Sequence, residues 1–313
     1  MLTRRSLLTY SEESTYGTAS TGTYKALEIV RDPDVAPLVV DRLARETVRP
    51  WHGADLQRLI NRRVTVSFSI YLSGSGTVGT APQFGDFLVS CAMVETLVAA
   101  TSATYALAGL QTALKSVTMR WYADGMLHQV AGARATWTLS ANAGEFGTLN
   151  IEATGIYSIP TKTSLISPTF ANQAAPLEVS ATNTPTVNIN SVANCMAAFE
   201  LNLGNAVEYE SYAGCVTQLA INDRVPEGSI EIESKIIGSS TGEQDFYTLF
   251  TAGTLVPITW THGTVAGNIC TLTMANCQLM EPTLSDRNGK QFMTIPFMPI
   301  TTDGTSEISL AFT

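Results

Sequence analysis

The sequence predicts a mainly β protein made of two tandem β-sandwich or barrel modules, each with a short flanking helix. Three observations predict it. Thr, Val, Ile and Tyr are abundant and recur in segments where apolar and polar residues alternate, the pattern of half-buried strands. Asp124-Gly125 and Asn288-Gly289 stand between such segments as hairpin turns. A stretch near residue 53 returns near residue 214 with the same elements following it.

The repeat sets the organisation. Gly53-Ala-Asp-Leu-Gln-Arg-Leu-Ile-Asn-Arg-Arg-Val64 matches Gly214-Cys-Val-Thr-Gln-Leu-Ala-Ile-Asn-Asp-Arg-Val225 at Gly, Gln, Ile, Asn, Arg and Val, an offset of 214 − 53 = 161. After Val64 comes the alternating strand Thr65 to Leu72, then Gly74-Ser-Gly-Thr77. After Val225 come Pro-Glu-Gly, the alternating strand Ser229 to Ile237, and Gly238-Ser-Ser-Thr241. Three inserted residues raise the offset to 164, so Ser67 and Ser69 correspond to Glu231 and Glu233. Both copies then enter a short helical pattern. The expected divisions are an N-terminal arm over 1–23, a first module over 24–160, a charge-poor linker over 161–189 and a second module over 190–313.

Within the first module the pattern predicts a strand over 64–72, a helix over 83–94 and strands near 103–107, 115–122, 127–139 and 147–157. In the second it predicts strands near 198–203, 206–222, 228–237, 255–261, 267–280, 291–299 and 306–312, with a helix over 243–252. Val64, Val66, Phe68, Ile70 and Leu72 share one face, and Thr65, Ser67, Ser69 and Tyr71 the other. In the second copy Ile230, Ile232 and Ile236 oppose Glu231, Glu233 and Lys235. The polar faces are either an ordinary solvated surface or the lining of a water-filled channel.

Composition narrows the function. Charged residues are only 14% of the chain, below the roughly 25% of an average soluble domain, which implies surface covered by other subunits or rich in Ser, Thr, Asn and Gly. The net charge is 18 − 27 = −9, spread as +2 over residues 1–63 and −11 over 64–313. An acidic chain is a poor nucleic-acid binder, since phosphate binding runs on Lys and Arg. The basic stretch Arg42, Arg45, Arg49, Arg58, Arg62 and Arg63 is interleaved with Asp41, Glu46 and Asp55; it is either a solvated loop or a contact with the acidic part of a neighbouring chain. Five cysteines, an odd number without CxxC spacing, argue against a disulfide framework or a zinc site and fit free thiols. No apolar run is long enough to span a membrane, and no apolar h-region follows Arg4-Arg5.

No catalytic, cofactor or metal site is expected. Gly74-Ser-Gly-Thr-Val-Gly79 fits G-x-G-x-x-G, with Glu95 at 95 − 74 = 21 residues on. However, Ala81-Pro82 separates it from the helix, the preceding strand alternates, and the second copy lacks it. Gly74, Gly76 and Gly79 are therefore expected in a loop that reaches an adjacent subunit or ring. His52, His128 and His262 stand alone, no Ser lies in a G-x-S-x-G elbow, and the pairs Glu208/Glu210 and Glu231/Glu233 are adjacent positions of solvated strand faces.

Several segments carry a family resemblance: Glu13-Ser-Thr-Tyr16-Gly17-Thr18, Arg45 through Ala54, Gly74 through Pro82, Asp124-Gly-Met-Leu-His128 with Gly132-Ala133-Arg134, Thr154-Gly155-Ile-Tyr157 and Thr261-His262-Gly263-Thr264. Together they resemble the tail tube (major tail) proteins of long-tailed, non-contractile phages (siphophages) and related prophages. The resemblance implies two tail-tube-type modules whose inner strands join neighbouring subunits around a lumen. It also implies rings of six modules, hence three chains, stacked into the conduit for genome DNA ejection. The implied partners are further copies of the chain, a tape-measure protein, a tail terminator and a distal tail protein, with non-specific passage of DNA. The implied location is the virion tail, assembled in the host cytoplasm. Thr65, Ser67, Ser69, Glu231, Glu233 and Lys235 are the lumen-facing candidates. Arg42, Arg45, Arg49, Arg58, Arg62, Gly74, Gly76 and Gly79 are the inter-subunit or inter-ring candidates. The competing reading is a β-rich receptor-binding or adhesin-type virion or surface module, which lacks the expected aromatic clusters or calcium loop.

Overall fold

Alternating sequence becomes strand at most of the places where it occurs. The computed structural model describes residues 5–31, 33–109, 114–237 and 245–313. Strands make up 52% of the described residues and helix 4%, a mainly β fold. In chain order the first half holds β1 (Ser6–Glu12), β2 (Lys25–Leu27), β3 (Asp34–Leu43), β4 (Arg58–Tyr71), α1 (Gly85–Ser90), β5 (Met93–Val98), β6 (Ser102–Leu107), β7 (Val117–Ala123), β8 (Met126–Asn142), β9 (Thr148–Tyr157) and β10 (Thr161–Lys162). The second half holds β11 (Thr186–Ile189), β12 (Val192–Ala193), β13 (Met196–Asn202), β14 (Asn205–Glu210), β15 (Gln218–Arg224), β16 (Glu227–Glu233), α2 (Phe246–Ala252), β17 (Leu255–His262), β18 (Cys270–Leu279), β19 (Thr283–Arg287), β20 (Lys290–Pro299) and β21 (Ser309–Phe312).

One antiparallel sheet runs through both halves. Its order is β3-β4-β9-β8-β13-β16-β20-β19. The joint between the halves is the β8–β13 pair, where Phe199 faces Ala141 and Leu201 faces Leu139. A second layer closes the other side of the core. Part of it is β2-β1-β7, continuing into β8, and part is β12-β11-β17-β18-β21-β6-β5. The β5–β6 hairpin of the first half thus completes the sheet of the second by pairing with β21.

The pairings recur. β1–β7, β7–β8, β8–β9, β9–β4, β4–β3 and β8–β10 in the first half have the counterparts β11–β17, β17–β18, β19–β20, β20–β16, β16–β13 and β18–β21 in the second. The hairpins of β3–β4 and of β13 to β16 even match in length. Ala36 faces Thr65 and Glu200 faces Ser229, each pair enclosing 28 residues (65 − 36 − 1 and 229 − 200 − 1).

Alternation supplies the core. Val64, Val66, Phe68 and Ile70 of β4, and Ile230 and Ile232 of β16, are buried beside the largest side chains, Trp137 and Trp260. Trp260 stacks between Phe199 and His262 at centroid distances of 5.8 and 5.4 Å. Phe87 of α1 plugs the first half against Tyr10 and Phe68.

Several elements differ from the sequence expectation. The helix expected over 83–94 is only Gly85–Ser90, because Ala92 takes a left-handed φ of 62° and the β-branched residues after Met93 form a strand. The single strand expected over 206–222 is the β14–β15 hairpin, turned through Gly214 at φ +83°. The strand expected to reach 237 ends at Glu233, so Lys235 lies beyond it. α2 starts where Asp245 caps it, its carboxylate accepting from the Thr248 amide at 3.0 Å, and ends at left-handed Gly253. Gly238 to Thr241, and the first two residues of the helix expected over 243–252, lie outside the described residues.

Candidate assembly surface

The eight-stranded sheet has one buried face and one polar face. On β4 the polar face carries Thr65, Ser67 and Ser69, and on β9 Asn150 and Glu152 stand opposite Ser69 and Ser67. Thr136 and Thr138 of β8 and Glu200 and Asn202 of β13 continue it across the joint. Glu231 and Glu233 of β16 extend it into the second half. Four of its carboxylates, Glu152, Glu200, Glu231 and Glu233, are thus carried by one sheet surface. Arg287 and Lys290 at the edge hairpin partly offset them, with nitrogen-to-oxygen distances of 3.3 Å to Glu231 and 2.9 Å to Glu233. Lys235 is not on this face of a strand; its ammonium donates to the carbonyl of Ala193 at 3.3 Å.

Both ends of this sheet have free edges among the described residues. β3 pairs only with β4, and β19 pairs only with β20. Pro37 lies at the irregularity between Ala36 and Val39 of β3, a residue type confined to edge strands and bulges.

Each half extends its hairpin beyond the sheet as an arm. The arm of β14–β15 folds back onto the first half. Leu219, Ala220 and Ile221 are buried there. Arg134 of β8 donates to the Leu219 carbonyl at 2.5 Å, and the Leu219 amide donates to the Tyr16 hydroxyl at 2.5 Å. Tyr16 in turn donates to the Gly132 carbonyl at 3.3 Å, and the Arg134 guanidinium lies 4.9 Å over its ring. Burial pushes the Tyr16 hydroxyl pKa up and the Arg134 pKa down. Beneath them Glu13 is buried and accepts four hydrogen bonds, from the amides of Gly17 and Gly132 and the hydroxyls of Ser116 and Thr118. At the arm's base, Arg224 pairs with Glu307 at 2.7 Å and donates to the Gly304 carbonyl at 3.2 Å. Asn205 donates to the carbonyls of Cys91 and Ala135.

Among the described residues the arm of β3–β4 meets nothing comparable. Arg42, Arg45, Arg49, Arg58 and Arg62 are exposed on it, as are the apolar Leu38, Leu43, Val48, Trp51, Leu56 and Leu59. Within the arm Arg49 pairs with Asp55 at 2.6 Å and Arg63 with Asp41 at 3.3 Å. A hydrogen bond from Asn61, and then the charge of Arg63, hold the Asp41 carboxyl below its ordinary pKa.

The glycine loop is engaged inside the chain. The Gly76 amide donates to the Gly267 carbonyl at 2.9 Å, and the Gly74 amide to the Asn268 side chain at 2.7 Å. A Cβ at Gly74 would stand 2.1 Å from the Gly267 oxygen, and one at Gly79 would stand 2.4 Å from the Ala100 nitrogen. The loop therefore ties the first half to the β17–β18 turn of the second, whereas the sequence predicts a loop that reaches an adjacent subunit or ring. The seam of Glu13, Tyr16, Arg134 and Leu219 carries no sequence signal of its own role, because its members come together from positions up to 219 − 13 = 206 residues apart.

Chemistry is sparse. Among the described residues no group of three or more His, Cys, Asp or Glu is placed to hold a metal ion. No helix among the described residues is long and apolar enough to cross a membrane. His262 is buried with both ring nitrogens engaged, by Thr184 at 3.0 Å and the Leu177 carbonyl at 3.1 Å, and so pins the crossing segment to β17. Cys91, Cys270 and Cys277 are buried, and burial raises their thiol pKa values, to about 12 for Cys277; Cys195 and Cys215 are exposed. A thiol reagent added to the native monomer should therefore titrate two of the five cysteines quickly and the other three only after denaturation. Fast reaction of four or five would contradict the packing described.

No curated protein matches the sequence. A family model described as phage tail tube protein matches residues 3–313, so the chain belongs to the phage tail tube family and is a structural component of a virion tail.

Proposed function

We propose that the chain assembles as homotrimeric, pseudo-hexameric rings that stack into the tail tube through which genome DNA leaves the virion. The observation that carries this is the doubled four-strand unit in one sheet, β3-β4-β9-β8 followed by β13-β16-β20-β19, with free edges at both ends. Each half is then one tube module, corresponding to 24–160 and 190–313 with a linker over 161–189. The β8–β13 joint is the internal version of the contact between chains. Joining β19 of one chain to β3 of the next removes the last free edges. Three chains supply 3 × 8 = 24 strands around the lumen.

The polar face fits the lumen side. Its hydroxyls, amides and surplus carboxylates offer phosphate no ladder of cations, so a polyanion passes without being held. Thr65, Ser67, Ser69, Glu231 and Glu233 line it, with carboxylates in both halves, Glu152 in the first and Glu200, Glu231 and Glu233 in the second. The tube would enclose a tape-measure protein and end on terminator and distal tail proteins, after assembly in the host cytoplasm. Mass photometry of the purified chain over rising concentration tests the stoichiometry. Three-chain species and their multiples are expected, and a monomer at every concentration would overturn the proposal.

A further inference from the structure

The two arms are alike in length and opposite in charge. Residues 37–63 carry six Lys/Arg and three Asp/Glu, 6 − 3 = +3. The equivalent window 201–227 carries one and four, 1 − 4 = −3. The acidic arm has its receptor in its own chain, where Arg134 grips the carbonyl of Leu219. The basic arm has its apolar and cationic side chains in the open.

The repeat locates the missing counterparts. In the matched twelve-residue stretch Leu219 corresponds to Arg58, since 219 − 161 = 58. The counterpart of Arg134 follows from strand register. Arg134 faces Thr154, and Thr154 faces Thr65. Thr65 corresponds to Ser229 at the offset of 164, and Ser229 faces Pro296. Opposite Pro296 stands the Met280–Glu281 step between β18 and β19, where the Met280 amide donates to the Pro296 carbonyl at 2.8 Å. Of these two residues Glu281 is the exposed one. An arginine receptor in the first half is thus replaced by a carboxylate in the second, while the arm residue it would meet changes from leucine to arginine. Residues 228–313, which carry this receptor, hold eight Asp/Glu and three Lys/Arg.

We infer that the basic arm 37–63 of one chain docks on the second half of the next copy of the chain, with Arg58 against Glu281, repeating with inverted charge the docking of arm 201–227 on the first half. The inference rests on the ring proposal above. The inversion gives each arm one receptor: the basic arm is repelled by Arg134, and the acidic arm by Glu281. The intrachain and interchain joints therefore do not exchange, and a chain enters the ring in one phase only.

Charge exchange tests this on the full chain. Arg58→Glu and Glu281→Arg, each alone, should raise the concentration needed for rings or tubes at least about tenfold, because each sets like charges together at every interchain joint. The double variant R58E/E281R should restore assembly to near the wild-type concentration. Both positions are exposed, and circular dichroism of the monomers verifies folding. Single variants that assemble normally, or a double variant as impaired as the singles, would overturn the inference while leaving the ring proposal standing. A wild-type chain that never forms rings would remove both.

Discussion

Glu13→Ala is expected to lower the unfolding free energy by about 3–5 kcal/mol, the range for removing one member of a buried charged network. Four donors, the Gly17 and Gly132 amides and the Ser116 and Thr118 hydroxyls, converge on this one buried carboxylate at 2.6–2.9 Å. Alanine leaves both amides without their acceptor, the Gly132 amide in a buried site and the Gly17 amide in a half-buried one. The hydroxyls can rotate toward other acceptors and recover part of the loss, which keeps the effect within that range. Because Tyr16 and Gly132 belong to the same cluster, the arm held at Leu219 should loosen with it. Urea unfolding followed by tryptophan fluorescence measures the first effect. Hydrogen exchange at the Leu219 amide measures the second. A midpoint shift equivalent to less than about 1 kcal/mol would mean that the cluster is not the anchor inferred from its geometry.

Trp137→Ala should cost a similar about 3–5 kcal/mol, through a cavity in place of the indole. Trp137 is fully buried in β8 at the joint between the halves, and its carbonyl accepts from Leu203 at 3.0 Å. Trp137→Phe should be much milder, under about 2 kcal/mol, for two reasons. Most of the ring volume is kept. Among the described residues the indole N–H also has no acceptor, so its removal relieves an unsatisfied buried donor. Equal losses for the two variants would contradict this, because they would show that the N–H rather than the volume matters.

Local pattern made much of this fold legible. The alternation at 64–72 is β4, and the buried and polar sets fall on the two faces as their periodicity requires. Asp124-Gly125 and Asn288-Gly289 are the turns of the β7–β8 and β19–β20 hairpins, with all four residues at positive φ. Features that depend on distant partners were not legible. Nothing local in Gln218–Arg224 separates a strand that continues from one that turns back and docks, since its burial comes from Tyr16 and Arg134. Likewise β5 and β6 follow a helical start, and their pairing with β21 is fixed 200 residues later in the chain, where Phe312 meets Ala103 (312 − 103 = 209). The glycines of the 74–79 loop signalled close backbone approach, which is what they provide, but toward Gly267 of the same chain.

The segments that carry the family resemblance and the residues that build the seam overlap. Glu13 and Tyr16 lie in one such segment, and Gly132 and Arg134 in another. The polar face of the eight-stranded sheet, made of Ser, Thr, Asn and Glu, contributes little to the resemblance.

Electron cryomicroscopy of tubes grown from the purified chain tests the proposed ring most directly. The expected map has three chains per ring, and its inner wall is a closed 24-stranded barrel with Ser67 and Glu231 facing the lumen. A ring of six chains, or an inner wall formed by the β17–β18–β21 layer, would contradict it.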